Sequence, residues 1–401
     1  MAESGPIISK SQQDLEKLLD HFDRVYIDRK SENSPLARRL ESLFPADKLE
    51  WVDSRPHPQI RGEMSSGEFA RSKRQLYVTE FKGQFFKRCP GAKPGLACCN
   101  YFVLNWGQQC DMNCSYCYLQ SFLNSPVLTL YSNLDQALEE LRQLGKSLGE
   151  QSLRVGTGEL VDSLSLDPLT LFSHELMAFF RDTPRWTLEF KTKSDFVHQF
   201  LDVPHEGNVI VSWSINPQAV VEREEQGTAS LEQRLQAAEL CLSRGLQIAF
   251  HIDPMIWHPE WKENYAALVD EVAARFRPGD LPYLSLGALR FQPEQKAMMR
   301  ERFGMKSWVN QGEMWPGKDG KLRYPLELRQ EMFNFVLNRF KEYSPEWKVF
   351  LCMESPETWL STYTKAPQQV DSLAPLFDQG VSRQFRKALK RSQADTNSAS
   401  G

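Results

Sequence analysis

Three cysteines in one short segment are the residues of this chain whose spacing most directly indicates chemistry. Cys110, Cys114 and Cys117 follow a C-x3-C-x2-C pattern, and Tyr116 directly precedes the third cysteine. Thiolate is the usual protein ligand of iron–sulfur clusters, and four cysteines would close a cubane [4Fe–4S] cluster completely. Three cysteines hold three irons and leave one iron without a protein ligand. An open position of this kind is where catalytic metal sites react.

Two other interpretations of clustered cysteines involve no catalysis. A structural zinc site usually takes four ligands, often as paired C-x2-C units, and no fourth Cys or His closely follows Cys117. A disulfide framework is typical of small secreted chains. Cys241 and Cys352 lie in apolar segments and are expected to be core residues. The cysteines without an assigned role are Cys89, Cys98 and Cys99.

The composition is that of a globular protein. The chain has 401 residues, 41% of them hydrophobic and 25% charged, which allows one large domain or two smaller ones. Its formal net charge of −4 gives no global positive field for nucleic acid, although a local basic groove is compatible with it. No apolar run approaches bilayer length, and the first residues lack a signal-peptide pattern. We therefore expect a cytoplasmic protein with reduced thiols and no membrane partner.

The middle of the chain alternates between strand and helix patterns. Helical segments at 134–148, 169–181, 230–244 and 261–276 separate strand-like segments, which lie at 100–106, 153–156, 186–192, 208–215, 246–252 and 283–291. This alternation predicts a parallel sheet with right-handed crossovers. Six strands fit a partial (β/α)6 TIM-type barrel better than a complete eightfold one, so the predicted fold class is α/β.

The barrel is expected to occupy residues 96–305. A small N-terminal α/β unit precedes it over 1–95, and a C-terminal α/β extension follows it over 306–391. Residues 392–401 are low in apolar side chains and are predicted to form a disordered tail.

Polar side chains stand at the predicted carboxyl end of every barrel strand, which is where active sites lie in such barrels. Packing alone does not explain the joint pattern, although the alternative for any single member is an ordinary solvated loop residue. After the cysteine loop on the first strand, the polar residues are Glu159, Lys191, Lys193, Ser214, Asn216, His251, Asp253 and Arg290.

The cysteine pattern at the end of a first strand resembles the signature of the radical S-adenosylmethionine (SAM) superfamily. Further segments resemble the spore photoproduct lyase family, and the similarity runs from about Tyr26 to Trp359. The similar segments are CCNY (98–101), CSYCYLQ (114–120), FKTK (190–193), SWSIN (212–216), 232–238, FHIDP (250–254), LRF (289–291) and KLRY (321–324).

The resemblance implies that the three cysteines bind a [4Fe–4S] cluster and that SAM chelates its open iron. Glu159, in Gly-Thr-Gly-Glu, resembles the element that holds the SAM amino group. Lys193 and Ser214 match positions that hold the SAM carboxylate and ribose, and Asn216 is a weaker candidate for the same pocket. An ammonium group suits a carboxylate in both pairings.

The resemblance also implies a hydrogen-relay role for two tyrosines, Tyr116 and Tyr118. Aromatic packing beside the cluster is an equally good interpretation of them. A reducing electron donor such as flavodoxin or ferredoxin, and a pyrimidine lesion in DNA as substrate, are further implications of the family.

Four residues are candidates for substrate contact, since arginine pairs well with phosphate or a base edge. The alternative for each is an ion pair or hydrogen bond that braces the barrel. They are His251, Asp253, Arg290 and Arg323.

The chain departs from the family at one position. Spore photoproduct lyases use a cysteine shortly after the second strand as hydrogen donor, and residues 156–165 contain none. A thiol donates hydrogen readily because its S–H bond is weak, and neither Glu159 nor Asp162 can take over that role. Cys98, Cys99 or Cys352 could act as the donor only if the fold brings one of them to the barrel mouth. The departure motivates a second hypothesis, radical chemistry on a peptide, RNA or small molecule. A third is a non-catalytic metal-binding barrel.

Overall fold

The computed structural model describes residues 9–56, 66–92, 95–97, 99–370 and 373–377. The predicted disordered tail over 392–401 lies outside these ranges, and so does Cys98. Within them, no helix combines the length and apolar character that crossing a bilayer requires.

The strands are numbered here in chain order. They are β1 (Arg24–Asp28), β2 (Leu49–Val52), β3 (Gln75–Thr79), β4 (Phe86–Arg88), β5 (Tyr101–Leu104), β6 (Gly107–Gln108), β7 (Asn113–Cys114), β8 (Leu128–Tyr131), β9 (Arg154–Gly156), β10 (Thr187–Thr192), β11 (Val209–Ser214), β12 (Glu225–Gln226), β13 (Gln247–Met255), β14 (Leu284–Ala288), β15 (Arg290–Phe291), β16 (Trp315–Pro316), β17 (Leu322–Arg323) and β18 (Val349–Leu351).

The α-helices are numbered in the same way. They are α1 (Lys10–His21), α2 (Pro35–Leu43), α3 (Ser66–Ser72), α4 (Leu119–Phe122), α5 (Leu134–Leu148), α6 (Asp167–Thr170), α7 (Phe172–Arg181), α8 (Gln218–Glu224), α9 (Leu231–Ser243), α10 (Trp261–Arg275), α11 (Gln295–Phe303), α12 (Leu326–Tyr343) and α13 (Pro356–Tyr363).

The larger sheet has eight strands in the order β18-β14-β13-β11-β10-β9-β5-β4. The six predicted strands are the run from β5 to β14, and they are mutually parallel. β18 extends the parallel array at one edge, and β4 pairs antiparallel with β5 at the other. The predicted α/β class with a curled, barrel-like sheet is therefore confirmed, but the sheet has two more strands than the six of the prediction.

The smaller sheet holds both ends of the segment that carries the three cysteines. Its order is β2-β1-β3-β8-β6, with β8 parallel to β3 and β6 antiparallel to β8. Since β6 precedes the cysteines and β8 follows them, this sheet anchors the loop on both sides. It also combines strands from the predicted N-terminal unit with strands from the predicted barrel segment.

Local sequence explains the main elements of the barrel. All six residues of β11 are buried, as expected for a parallel strand covered on both faces. α9 begins with a capping box in which Ser230 and Gln233 bond each other's backbone N–H. Gly245 follows this helix with φ +78°, a conformation that glycine adopts at little cost.

Two glycines, the last residue of β9 and one in the turn that follows it, approach neighbouring strands closely. A Cβ on Gly156 would lie 1.5 Å from the Tyr101 hydroxyl, and one on Gly158 would lie 2.6 Å from the Lys191 carbonyl oxygen. Only glycine permits such close approach. The turn therefore lies directly on β5 and β10, and it places Glu159 at the carboxyl edge of the sheet.

Candidate functional site

The three cysteines lie on one loop that follows the carboxyl end of β5, as predicted. Cys114 belongs to β7, which pairs antiparallel with β12 so that Cys114 faces Glu225. Cys114 is buried, and Cys110 and Cys117 are partly buried. The Cys117 amide donates to the Cys114 carbonyl at 3.2 Å, so these two cysteines share a turn.

Two side chains from distant elements bind the backbone of this loop. The Lys73 Nζ donates to the carbonyl oxygen of Cys110 at 2.7 Å and to that of Met112. The Gln295 Nε2 donates to the Cys117 carbonyl at 3.1 Å. Because these carbonyls have partners within the protein, the loop can be buried without losing hydrogen bonds.

Glu224 holds the loop from the end of α8. Its carboxylate accepts a hydrogen bond from the Ser115 hydroxyl, from the Ser307 hydroxyl at 2.6 Å and from the Trp308 amide at 2.7 Å. Its carbonyl accepts the Ser115 amide at 2.8 Å. Ser115, the residue after Cys114, is therefore held through both its backbone amide and its hydroxyl.

Glu225 is a buried acid beside the loop. Its carboxylate accepts hydrogen bonds from the Tyr116 hydroxyl and from the Asn216 Nδ2 at 3.0 Å. It lies 2.7 Å from the Arg234 guanidinium, and both side chains have no exposed surface. Burial acts to raise the pKa of Glu225, but the charges of Arg234 and Lys193 lower it below its ordinary value. Glu225 is therefore ionised.

Lys193 lies among the same side chains, directly after β10. Its Nζ is 5.6 Å from the centroid of the Tyr116 ring. Burial acts to lower the pKa of Lys193, but the Glu225 carboxylate raises it above its ordinary value. Lys193 therefore keeps its positive charge next to the cysteine loop, where an anionic ligand would find a partner.

Glu159 contacts the loop from the turn after β9. The Tyr118 hydroxyl donates to its carbonyl at 2.7 Å. Its side chain is 10% exposed and lies 3.5 Å from the Lys87 Nζ, and beyond that contact neither carboxylate oxygen accepts a hydrogen bond from the described residues. Burial raises the pKa of Glu159 above its ordinary value. Its vacant acceptor sites fit a cationic donor.

Asp162 fixes the shape of the turn that carries Glu159. Its Oδ1 accepts hydrogen bonds from the Thr192 hydroxyl at 2.6 Å and the Leu164 amide at 3.0 Å, and its Oδ2 accepts the Lys193 amide at 2.9 Å. Asp162 therefore joins the turn after β9 to the end of β10 and sets the spacing between Glu159 and Lys193.

Ser214 and Asn216 lie at the end of β11. Ser214 is 3% exposed, and its carbonyl accepts a hydrogen bond from Arg234 at 2.8 Å. The Asn216 amide is bonded on both sides, since its Nδ2 donates to Glu225 and its Oδ1 accepts the Tyr265 hydroxyl at 3.0 Å. SAM contact by either residue stays a prediction.

His251 lies within β13 and not at the carboxyl end of the strand as predicted, and it is buried. Its Nε2 lies 3.0 Å from the Glu189 carboxylate and its Nδ1 lies 2.5 Å from the Ser285 hydroxyl. Burial lowers the pKa of His251 to about 4, and the charge of Lys191 acts in the same direction. Burial acts to raise the pKa of Glu189, but the His251 hydrogen bond and Arg154 lower it to about 2.

The two arginines proposed for substrate contact each pair with an acid. Arg290 binds both oxygens of Asp253, at 2.9 and 3.0 Å. Arg323 binds both oxygens of Asp319, at 3.2 and 2.7 Å. These contacts, like that of His251 above, agree with the bracing alternative, and substrate contact by these residues stays a prediction.

Burial disfavours the thiolate form of two of the three loop cysteines, Cys110 and Cys114. Burial raises the pKa of Cys114 to about 12 and raises that of Cys110 well above its ordinary range, whereas a coordinated thiol is deprotonated outright. In the described part of the chain, no three His, Cys, Asp or Glu side chains converge as they would around a single ion. A cubane cluster does not require such convergence, because each cysteine binds a different iron.

Two of the remaining cysteines lie at opposite ends of the sheet. Cys352 directly follows β18, at the carboxyl edge, where its amide donates to the Leu286 carbonyl at 2.7 Å. Cys99 precedes β5, and its sulfur accepts a hydrogen bond from Arg154 at 3.0 Å. Cys352 is thus a thiol that the fold brings to the barrel mouth, and it is partly buried rather than the core residue that was expected. Cys241 is a buried residue of α9, as predicted.

Sequence reasoning missed Lys73, Glu225 and Gln295. Lys73 lies in Arg-Ser-Lys-Arg (71–74), which has the composition of an exposed basic run, and Glu225 follows another glutamate at the end of a polar helix. The only sequence signal for Glu225 was its position shortly after the strand-end residues Ser214 and Asn216 along the chain. Nothing in the sequence indicates that Gln295 faces the loop.

Comparison with known proteins gives a consistent result. The spore photoproduct lyase family model matches residues 21–349. The spore photoproduct lyase of Geobacillus sp. is 26% identical over 282 residues, which are 70% of this chain and 82% of that protein. That of Clostridium acetobutylicum is 22% identical over 330 residues, or 80% of this chain and 96% of the relative.

Solved structures show the same fold. A spore photoproduct lyase variant with bound AdoMet and dinucleoside spore photoproduct aligns with a TM-score of 0.72 at 24% identity, over 82% of this chain and 98% of the other. A second structure, a spore photoproduct lyase complexed with dinucleoside spore photoproduct, gives the same TM-score of 0.72 and the same coverage.

Removing Arg234 should strongly destabilise the chain. In Arg234→Met the Glu225 carboxylate stays buried but loses its nearest cation, so we expect the free energy of unfolding to fall by about 3–5 kcal/mol. Urea unfolding followed by circular dichroism measures the loss.

Two further variants control this experiment. Arg234→Met/Glu225→Gln removes the unpaired charge as well and should recover part of the loss. Arg244→Met breaks an exposed ion pair with Asp202 and should cost no more than about 1 kcal/mol. An Arg234→Met variant as stable as the parent chain would contradict an ionised Glu225.

Proposed function

The chain belongs to the spore photoproduct lyase family, and from that membership we propose that it is a [4Fe–4S]-dependent radical SAM enzyme that acts on a pyrimidine lesion in DNA. The observation that carries the proposal is the loop of Cys110, Cys114 and Cys117. The smaller sheet anchors this loop on both sides, and the β7–β12 pair fixes its centre.

The residues around the loop fit SAM as a ligand. Glu159 has a buried carboxylate with vacant acceptor sites, which suits the SAM ammonium group. Lys193 is partly buried, and its charge lies beside the Tyr116 ring of the cysteine loop, which suits the SAM carboxylate. Ser214 ends the strand between β10 and β13, where its hydroxyl suits a ribose oxygen.

When bound and reduced, the cluster supplies the electron that cleaves SAM to a 5′-deoxyadenosyl radical, which abstracts hydrogen from the substrate. The protein's part is to hold SAM in place and to exclude water and oxygen. Both tyrosines proposed as a hydrogen relay have bound hydroxyls, Tyr116 to the Glu225 carboxylate and Tyr118 to the Glu159 carbonyl. Tyr116 is buried, whereas Tyr118 is 37% exposed and contacts the turn of a proposed SAM ligand. Tyr118 is therefore the better candidate.

A hairpin beside the carboxyl edge supports nucleic-acid binding. β17 pairs with β15 and β16, and Arg323 of β17 donates to the Met353 carbonyl at 3.1 Å. Trp315 is 58% exposed on this hairpin, and an exposed aromatic ring suits base stacking. The side chain of Lys318 at its turn is 68% exposed and pairs with Glu357, so a phosphate contact by this lysine would replace that ion pair.

One observation favours a second candidate. Residues 156–165 contain no thiol, and Glu159 and Asp162 within that segment have strong O–H bonds that do not donate a hydrogen atom readily. The same radical chemistry on a peptide, RNA or small molecule would not require a thiol at this position.

Removing one cluster ligand should abolish SAM cleavage. After anaerobic reconstitution we expect about four irons per chain and production of 5′-deoxyadenosine under reductant, whereas Cys114→Ala should lose both. Iron analysis and chromatography measure the two quantities. Cys241→Ala, which alters a buried cysteine of α9, is the matched control. Full cleavage by Cys114→Ala would refute the proposed function.

Neutralising Glu159 should weaken SAM binding. We expect Glu159→Gln to lose about 1.5–3 kcal/mol of binding free energy, since the charged hydrogen bond is lost. The raised pKa of Glu159 means that its carboxylate protonates at a higher pH than an ordinary glutamate. Affinity in the parent enzyme should therefore fall as the pH is lowered, and Glu159→Gln should not show this fall.

Equilibrium dialysis of SAM against the cluster-loaded protein measures both effects. Glu150→Gln, which neutralises a side chain that is 85% exposed, is the matched control. Equal affinity and equal pH dependence in Glu159→Gln and the parent would contradict the assignment of Glu159 to SAM.

An oligonucleotide with a defined spore photoproduct distinguishes the two candidate functions. The reduced, cluster-loaded enzyme with SAM should convert the lesion to thymines, and mass spectrometry of the digested product measures the conversion. Undamaged oligonucleotide and the Cys114→Ala variant are the controls. SAM cleavage with no loss of the lesion would favour the second candidate.

A further inference from the structure

Lys73 is a buried ammonium group at the base of the cysteine loop. The residue is 3% exposed. Its Nζ donates to the carbonyl oxygens of Cys110, at 2.7 Å, and Met112, and it lies 4.9 Å from the centroid of the Phe69 ring. A positive charge is therefore held in contact with the backbone of the first proposed cluster ligand.

This charge has no acidic partner within the described residues. The nearby Asp111 carboxylate instead accepts the Ser165 hydroxyl at 2.6 Å. The buried Arg234 differs, since it lies 2.7 Å from Glu225. A buried charge without a counter-charge is costly, and carbonyl dipoles offset only part of that cost.

We infer that Lys73 is a positioning residue whose charge stabilises the reduced state of the cluster held by Cys110, Cys114 and Cys117. This inference rests on the proposed function. A [4Fe–4S] core with three thiolates is negatively charged, and one-electron reduction adds a further negative charge. A fixed cation nearby stabilises the more negative state more strongly, and it also completes the missing ion pair.

The consequence is a higher reduction potential. Cluster potentials depend on net charge, hydrogen bonding and solvent exposure, and Lys73 changes the local charge without exposing the loop. Its two hydrogen bonds go to backbone carbonyls rather than to sulfur. Its effect on the potential is therefore electrostatic, and a variant that keeps the hydrogen bonds while losing the charge can isolate it.

Lys73→Gln is the nearest natural substitution, because it replaces the ammonium with a neutral amide donor on a side chain that is one bond shorter. The experiment is a redox titration of the reconstituted, SAM-free holoenzyme, followed by electron paramagnetic resonance. We expect the ratio of reduced to oxidised cluster at a fixed potential to be about tenfold lower in Lys73→Gln than in the parent. That change is about 59 mV for a one-electron couple. Lys73→Arg keeps the charge and should keep the parent potential.

Lys17→Gln is the matched control for loss of a lysine charge near the loop. Lys17 lines a surface cavity together with Met112, but its side chain is 56% exposed. Solvent screens its charge, so the potential should not change.

Each outcome bears on the inference. A parent potential in Lys73→Gln with full iron content overturns it. Iron lost in Lys73→Gln and retained in Lys73→Arg supports the need for a cation. Iron lost in both variants overturns it, since Lys73 would then be a packing residue. If the parent chain itself holds no cluster, the proposed function fails instead, so the two failures are distinguishable.

Discussion

The site depends on the burial of one ionised carboxylate, that of Glu225. A buried charge is stable only with partners, and Glu225 takes them from three separate places: Arg234 of α9, Asn216 after β11 and Tyr116 of the cysteine loop. The same carboxylate raises the pKa of Lys193 after β10. Removing its charge would leave these residues without a common partner, so Glu225 sets the geometry around the loop.

The barrel strands were predictable because each is an apolar run of several residues, as parallel strands covered on both faces are. The strands that shape the cysteine loop were not. β6, β7 and β12 have two residues each, too few to show any period. β18 lies within the predicted C-terminal extension. Its pairing with β14 joins positions 65 residues apart, as in Leu284 and Val349, and no local pattern encodes such a pairing.

The candidate site was predictable where residue type alone indicates chemistry. The cysteine spacing predicted the cluster loop, and the motif Gly-Thr-Gly-Glu predicted Glu159. The same motif contains Gly158, which the close approach of this turn to β10 requires. The sequence predicted His251, Asp253 and Arg290 at strand ends, but His251 and Asp253 lie within β13, which runs on to Met255. The sequence did not show that His251 faces Glu189, 62 residues away, or that Arg290 pairs with Asp253, 37 residues away. Whether a polar group is satisfied is a property of the folded chain.

The presence or absence of protein partners separates the charged groups around the site into two kinds. Asp162 and Asp253 have their oxygens filled by protein donors, so they hold the fold. The Glu159 carboxylate has vacant acceptor sites, and the Lys73 ammonium has no acidic partner in the described structure. Buried polar groups in native proteins are normally hydrogen-bonded and buried charges are normally paired, so an acid without donors and a cation without an acid both support the proposed ligand positions. Their signs agree with that role, because a negative group suits the SAM ammonium and a positive one suits a cluster that becomes more negative on reduction.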